Sequence, residues 1–141
     1  MKFPRDLVAE FQREQLHQEA ADGDLAQVNR LLERKYPVNR FDFLGKTPLH
    51  CAVRGGHLNI VDRLIRAGAN PNAHDERNIG NTPLSDNVGE CSYEMAKRLI
   101  DAGADPSIRG WMQLNALDRA CQRKDADARK IVRLLEEAGR R

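Results

Sequence analysis

The chain has 141 residues, room for one domain, and its 40% hydrophobic and 31% charged composition suits a globular fold with few aromatics. Its 23 Lys and Arg against 21 Asp and Glu leave a net charge of +2, too small to argue by itself for nucleic acid or an anionic membrane as partner. The three cysteines, Cys51, Cys91 and Cys121, form no CxxC pair, the opening MKFPRDLVAEFQREQ holds no apolar signal core, and no stretch reaches the roughly 18 apolar residues of a membrane span. A reducing, cytoplasmic setting is expected.

Residues 4–16 read as an amphipathic helix with Leu7, Val8 and Phe11 on one side, suited to covering an open apolar face. The polar side mixes Asp6, Glu10 and Glu14 with Arg5 and Arg13, which makes a membrane-surface helix the poorer alternative. Next comes LHQEAADGDLAQVNRLLERKYPVN, a helix pair whose second member carries Leu25, Leu31 and Leu32, followed by the turn FDFLGKT. Thr47 then N-caps a helix that has Pro48 at its first position, where a missing N–H costs nothing. Leu49, Ala52 and Val53 form one apolar stripe, Gly55 and Gly56 stop it, and Leu58, Ile60, Val61, Leu64 and Ile65 form a second. Gly68 is placed for a C-terminal cap, and Pro71 prevents continuation. His17, Gly23 and Leu25 each stand 33 residues before His50, Gly56 and Leu58, so the chain repeats itself.

Residues 45–72, GKTPLHCAVRGGHLNIVDRLIRAGANPN, resemble the ankyrin repeat, with TPLH at the first helix, GH-L at the turn and AGAN-PN after the second helix. That family has a 33-residue period of a β-turn and two helices. Asp42, Gly45 and Thr47 match its D-x-x-G-x-T link. A third copy, TPLSDNVGECSYEMAKRLIDAGADP, follows 35 residues after the second and departs from the pattern: Ser85 replaces the histidine, Asn87 the small alanine and Cys91 the glycine. A buried Asn needs partners, so this first helix is expected to be short, distorted or hydrogen-bonded to its neighbours. The fourth copy is looser, with Asn115-Ala116-Leu117-Asp118 for TPLH and a longer QRKDADA between its helices. The resemblance thus implies an all-α ankyrin solenoid of about four helix-turn-helix repeats with short β-turn or hairpin fingers: a capping helix over 1–15, then repeats over 16–44, 45–79, 80–112 and 113–141, the last closing the stack.

Catalysis has little to stand on. No HExxH, phosphate-cradling loop or GxSxG is present, and the carboxylates scatter over helix surfaces. His17 and His50 recur at the place that braces the helix start and the adjoining repeat in ankyrin proteins; these and His57 are expected to be structural. Cys51 and Cys121 are expected to pack as small hydrophobes. No catalytic residue, metal or cofactor is expected, and the crowd of basic residues in the fourth repeat (Arg109, Arg119, Arg123, Lys124, Arg129, Lys130, Arg133) alternates with carboxylates as a solvated face rather than a nucleic-acid site.

Binding is better supported, because the resemblance implies that the turns between repeats project as fingers. The first would hold Arg40, Phe41, Phe43, Leu44 and Lys46; the second His74, Glu76, Arg77, Asn78, Ile79 and Asn81; the third Ile108, Arg109, Trp111, Met112 and Gln113. Arg54, Glu90 and Arg123 would add to them from the helix faces. Leu44 and Leu114 are expected to brace the neighbouring finger, whereas Phe41, Phe43 and Trp111 either brace it or meet a partner. The partner-binding set is therefore Phe41, Phe43, Lys46, Arg54, Glu76, Arg77, Ile79, Asn81, Arg109, Trp111 and Met112, rich in the aromatic and arginine residues that dominate hot spots. The expected function is non-catalytic binding of a protein partner by a monomer. Small stand-alone bacterial members of the family often inhibit a cognate partner, toxin-neutralising immunity proteins included; a scaffold or adaptor in a regulatory or host-directed complex is the alternative.

Overall fold

A computed structural model describes residues 14–78 and 80–140 of the chain. The helix expected from Pro4 therefore lies almost wholly outside the described residues, as does Ile79. Among the described residues eight α-helices form four pairs: α1 (Gln15–Asp22) with α2 (Leu25–Glu33), α3 (Pro48–Gly55) with α4 (Leu58–Arg66), α5 (Pro83–Asn87) with α6 (Tyr93–Asp101), and α7 (Ala116–Ala120) with α8 (Ala128–Gly139). Two single 3₁₀ turns, Glu76–Asn78 and Trp111–Gln113, sit in the second and third fingers, and no strand occurs among the described residues. The first helices stack as one layer, α1 on α3, α3 on α5 and α5 on α7. The second helices form the other layer, with α2 on α4 and α6 on α8.

One local device starts three of the first helices. Thr47, Thr82 and Asn115 are extended, with ψ of 167°, 163° and 179°, and each side chain accepts the N–H three residues on while that residue's side chain returns to the cap N–H. The returning group differs each time: His50, Ser85 and Asp118. A capping box needs an acceptor at that place, and imidazole, hydroxyl and carboxylate all provide one. α5 is short, as its departures from the pattern suggest, and Asn87 Nδ2 donates to the Pro83 carbonyl (2.9 Å).

The core is one run of apolar side chains, among them Leu16, Val28, Leu49, Ile60, Leu64, Leu84, Met95, Leu99, Ile131 and Leu135, and among the described residues its fully buried cluster contains no aromatic. Burying each such side chain stabilises the fold by about 1.5–3 kcal/mol. Polar clasps tie successive repeats. Asn39 Nδ2 donates to the Gly68 carbonyl (3.0 Å) and its Oδ1 accepts the Asn70 N–H (2.7 Å). One period later Asn72 does the same to Gly103 (3.0 Å) and Asp105 (2.6 Å).

Histidines supply further clasps. His17 Nε2 donates towards the carbonyls of Arg40 (2.8 Å) and Lys46 (3.0 Å), and His57 Nε2 donates to that of Ala21 (3.0 Å). His50 Nδ1 accepts the Thr47 N–H (3.1 Å), which places the ring proton on Nε2, and Nε2 donates to the Asn81 carbonyl (2.7 Å). The three histidines thus work as repeat-to-repeat braces.

Candidate partner-binding surface

Each finger is built around one oxygen acceptor. In the first, Asp42 Oδ1 accepts the N–H groups of Leu44 and Lys46 (both 2.9 Å), the Asp42 N–H donates to the Lys46 carbonyl (2.8 Å), and Gly45 adopts φ of 74°. This self-closed turn leaves Phe43 and Leu44 at its tip. In the second, one period on, Asp75 Oδ1 accepts the Arg77 N–H (3.1 Å) and the Asp75 carbonyl accepts the Gly80 N–H (2.8 Å). The third finger has Gly110 at the equivalent place and so has no carboxylate of its own. The neighbouring finger provides the acceptor instead: Asn81 Oδ1 accepts the Trp111 N–H (3.0 Å) and an Arg119 N–H (3.3 Å). A Cβ on Gly110 would overlap that same Asn81 oxygen and lie 3.0 Å from the Gly80 carbonyl. Glycine is required there because the substitute acceptor fills the space of a side chain.

The close approaches set the fingers in a row. A Cβ on Gly45 would stand 3.1 Å from Asp75 Cβ, so the first finger lies against the second just as the third does on its other side. The apolar residues fall at the two ends of the row. Phe41 is 40% exposed, Phe43 81% and Leu44 62% on the first finger; Trp111 is 58% and Met112 64% exposed on the third. Leu44 is therefore not the brace that the sequence suggests, because Asp42 holds its N–H and the turn carries the side chain outward. Leu114 is half-buried. Between the ends, Glu76 and Arg77 are exposed. Met112 and Gln113 both have φ of 60°, a left-handed backbone that costs a non-glycine residue about 1–3 kcal/mol. Arg109 helps to hold this loop, donating to the Gln113 carbonyl (2.6 Å) beside Asp118 (3.7 Å).

Other residues picked from the sequence have internal work. Lys46 pairs with Asp86 across repeats (2.9 Å), and Asn81 supports the third finger through its amide while accepting from His50 through its carbonyl. The Arg123 side chain is only 5% exposed: Nη1 donates to the carbonyls of Val88 (2.9 Å) and Cys91 (2.7 Å), and the rest of the guanidinium grips Asp125, whose carboxyl it holds below its usual pKa. Arg123 thus closes the end of α5 and is not a partner-facing group. Arg54 is exposed, lining with Glu90, Arg119 and Gln122 a concave groove of about 530 Å³.

The reactive side chains offer no activated nucleophile. Burial pushes the Cys51 and Cys91 thiols up to about 11, and Cys121 is exposed rather than packed. Burial lowers His50 to about 4, so it stays neutral in its clasp. Among the described residues no group of three or more His, Cys, Asp or Glu is arranged to hold a metal, and no helix is long and apolar enough to cross a membrane.

Comparison with known proteins agrees with this architecture. Residues 16–110 match the family model described as ankyrin repeats in three copies. The chain is similar to oxysterol-binding protein-related protein 1 of Rattus norvegicus, 44% identical over 63 residues that cover 41% of this chain and 7% of the rat protein. It is also similar to the 2-5A-dependent ribonuclease of Mus musculus, 41% identical over 63 residues covering 44% of the chain and 8% of the mouse protein. Osteoclast-stimulating factor 1 of Xenopus laevis shows 39% identity over 57 residues, 40% of the chain and 25% of that protein. The match spans a small fraction of each of these relatives, so it reaches the repeats and not the remainder of those proteins. With two thirds of its length in the family model and four stacked helix pairs joined by fingers, the chain belongs to the ankyrin-repeat family, whose repeats are typically non-catalytic and generally mediate protein–protein interaction.

Proposed function

We propose that this chain binds a partner protein through its finger row and acts by masking the surface it covers. The observation that carries the reading is where the aromatic residues go. Among the described residues the fully buried cluster holds no aromatic, Tyr36 and Tyr93 pack at its edge, and Phe41, Phe43 and Trp111 are exposed on the first and third fingers. A solvated turn needs only polar residues, and the left-handed backbone at Met112 adds a cost to this one. Large apolar side chains at both ends of a rigid row, with Glu76 and Arg77 between them, make two anchor points and a charged register. Arg54 extends the same surface.

The test is capture by the immobilised chain from lysate of the source organism, with F41A/F43A/W111A as control. One dominant protein is expected on the wild type only, and each anchor is expected to contribute at least about 2 kcal/mol, about 30-fold in affinity. Equal capture by both forms refutes the finger reading. In its finer version the module is an inhibitor, such as a bacterial immunity-type protein working as a cytoplasmic monomer. Co-expression with a toxic gene product encoded beside it should then restore growth. A scaffold would instead hold two proteins in one complex and leave the activity of each unchanged.

A further inference from the structure

A second surface, sharing no residue with the finger row, comes from a break in the seam between second helices. Arg63 on α4 reaches back to Asn29 on α2 (2.7 Å), and Arg98 on α6 reaches back to Asp62 on α4 as well as to Glu94. These two arginines immediately precede the buried Leu64 and Leu99. On α8 the buried counterpart is Leu135, so the arginine's place is taken by Leu134, and the acceptor's place on α6 is taken by Lys97. Lys97 is engaged instead along its own helix with Asp101 (3.1 Å). Among the described residues the arginine clasp of the earlier seams is therefore missing between α6 and α8, which are linked instead at their N-terminal ends by the Tyr93 N–H donating to Asp127 Oδ2 (3.3 Å).

At that seam a groove of about 530 Å³ opens, lined by Tyr93, Arg129, Lys130, Arg133, Leu134 and Glu137. The basic crowd of the fourth repeat sorts itself here. Arg109 pairs with Asp118, Arg119 is held by Asn81 and the Trp111 carbonyl, and Arg123 by Asp125. Arg129, Lys130 and Arg133 form no ion pair with any described carboxylate, and all three are exposed.

We propose that the α6–α8 groove docks an acidic segment of a partner protein, its carboxylates meeting Arg129, Lys130 and Arg133 and an apolar side chain resting on Tyr93 and Leu134. Both requirements point to a peptide. A nucleic acid backbone or anionic membrane needs a long run of cations, whereas here there are three, with Glu137 at the same groove to repel phosphate and to accept a peptide N–H.

The probe is a short fluorescein-labelled peptide rich in Glu with a central Leu, titrated with the full chain and read by anisotropy. R129Q/K130Q/R133Q is expected to weaken binding at least about tenfold, with F41A/F43A/W111A unchanged. A second variant, K97D/L134R, keeps the three cations but installs the clasp seen between Asp62 and Arg98; it is expected to close the seam and weaken binding similarly. Unchanged affinity in both variants overturns the proposal. So does failure of the peptide to bind the wild type, or tighter binding of duplex DNA or phosphatidylserine vesicles than of the peptide.

Discussion

Acidification should loosen this solenoid through one histidine. His50 is 2% exposed, its Nδ1 is filled by the Thr47 N–H, and its Nε2 proton is committed to the Asn81 carbonyl. Burial lowers its pKa from 6.5 to about 4 in the folded chain. As pH falls, the unfolded chain therefore takes up a proton first, and stability declines from about pH 6.5 until the folded form titrates near pH 4. A difference of about 2.5 units at 1.36 kcal/mol each amounts to roughly 3 kcal/mol of stability lost across that window. Above about pH 6.5 both states hold neutral imidazole, and His50 adds no pH dependence.

Urea unfolding followed by circular dichroism, at steps from about pH 7 to about pH 4, measures this if wild type is compared with His50→Gln. Glutamine keeps an acceptor for the capping box and a donor for Asn81 but does not titrate. The variant is expected to be about 1–2 kcal/mol less stable at neutral pH, from poorer hydrogen bonding. That gap should close and reverse as pH falls, because only the wild type carries the His50 penalty. Carboxylates and the other histidines act on both proteins and cancel in the difference. Parallel stability curves for the two proteins throughout the window would refute the argument.

Three substitutions probe the remaining devices. Gly110→Ala should destabilise the chain by about 2 kcal/mol and quench the order of the third finger, seen as a shifted Trp111 fluorescence maximum, since the new Cβ displaces Asn81 Oδ1; an unchanged spectrum and Tm would count against the substitute-acceptor account. Lys35 ends α2 at φ of 62°, in the place where Gly68 and Gly103 follow α4 and α6, so Lys35→Gly should raise stability by roughly 1 kcal/mol in urea unfolding. Arg123→Met keeps the packing stem but strips the Val88 and Cys91 carbonyls of their donor; a loss of about 2 kcal/mol is expected, with hydrogen exchange accelerated in α5.

What the sequence made legible follows from how local each cause is. Thr47-Pro48, the glycine stops and the apolar stripes act within one helix turn, so the helix pairs could be read directly, and the resemblance to ankyrin repeats implied the bracing role of His17 and His50. The misread residues depend on hydrogen bonds that neither the apolar periodicity nor the repeat register encodes. Leu44 points outward because Asp42 claims its N–H; Arg123 lies in an insertion with no periodic counterpart, so nothing in the register linked it to Val88 and Cys91. Asn81 carries the third finger from 30 residues away, and its one sequence signal was negative: Asp42 and Asp75 recur, and the third place holds Gly110.

That substitution bears on function as well as on legibility. The first finger is closed by its own aspartate, with His17 bracing its Arg40 and Lys46 carbonyls from the preceding helix. The third finger has no such closure of its own, because its acceptor belongs to the second finger, which also receives His50 from α3. On the proposed reading, a partner pressing on Trp111 and Met112 works against a frame that runs through Asn81 into the middle of the stack. Pre-organising an exposed tryptophan in this way lowers the ordering cost of binding, which is the cost that most often limits affinity for a loop-borne surface. The same frame explains why strain at Met112 can persist: the Arg109 and Arg119 bonds to the Gln113 and Trp111 carbonyls hold the loop at both ends, leaving its side chains to face outward.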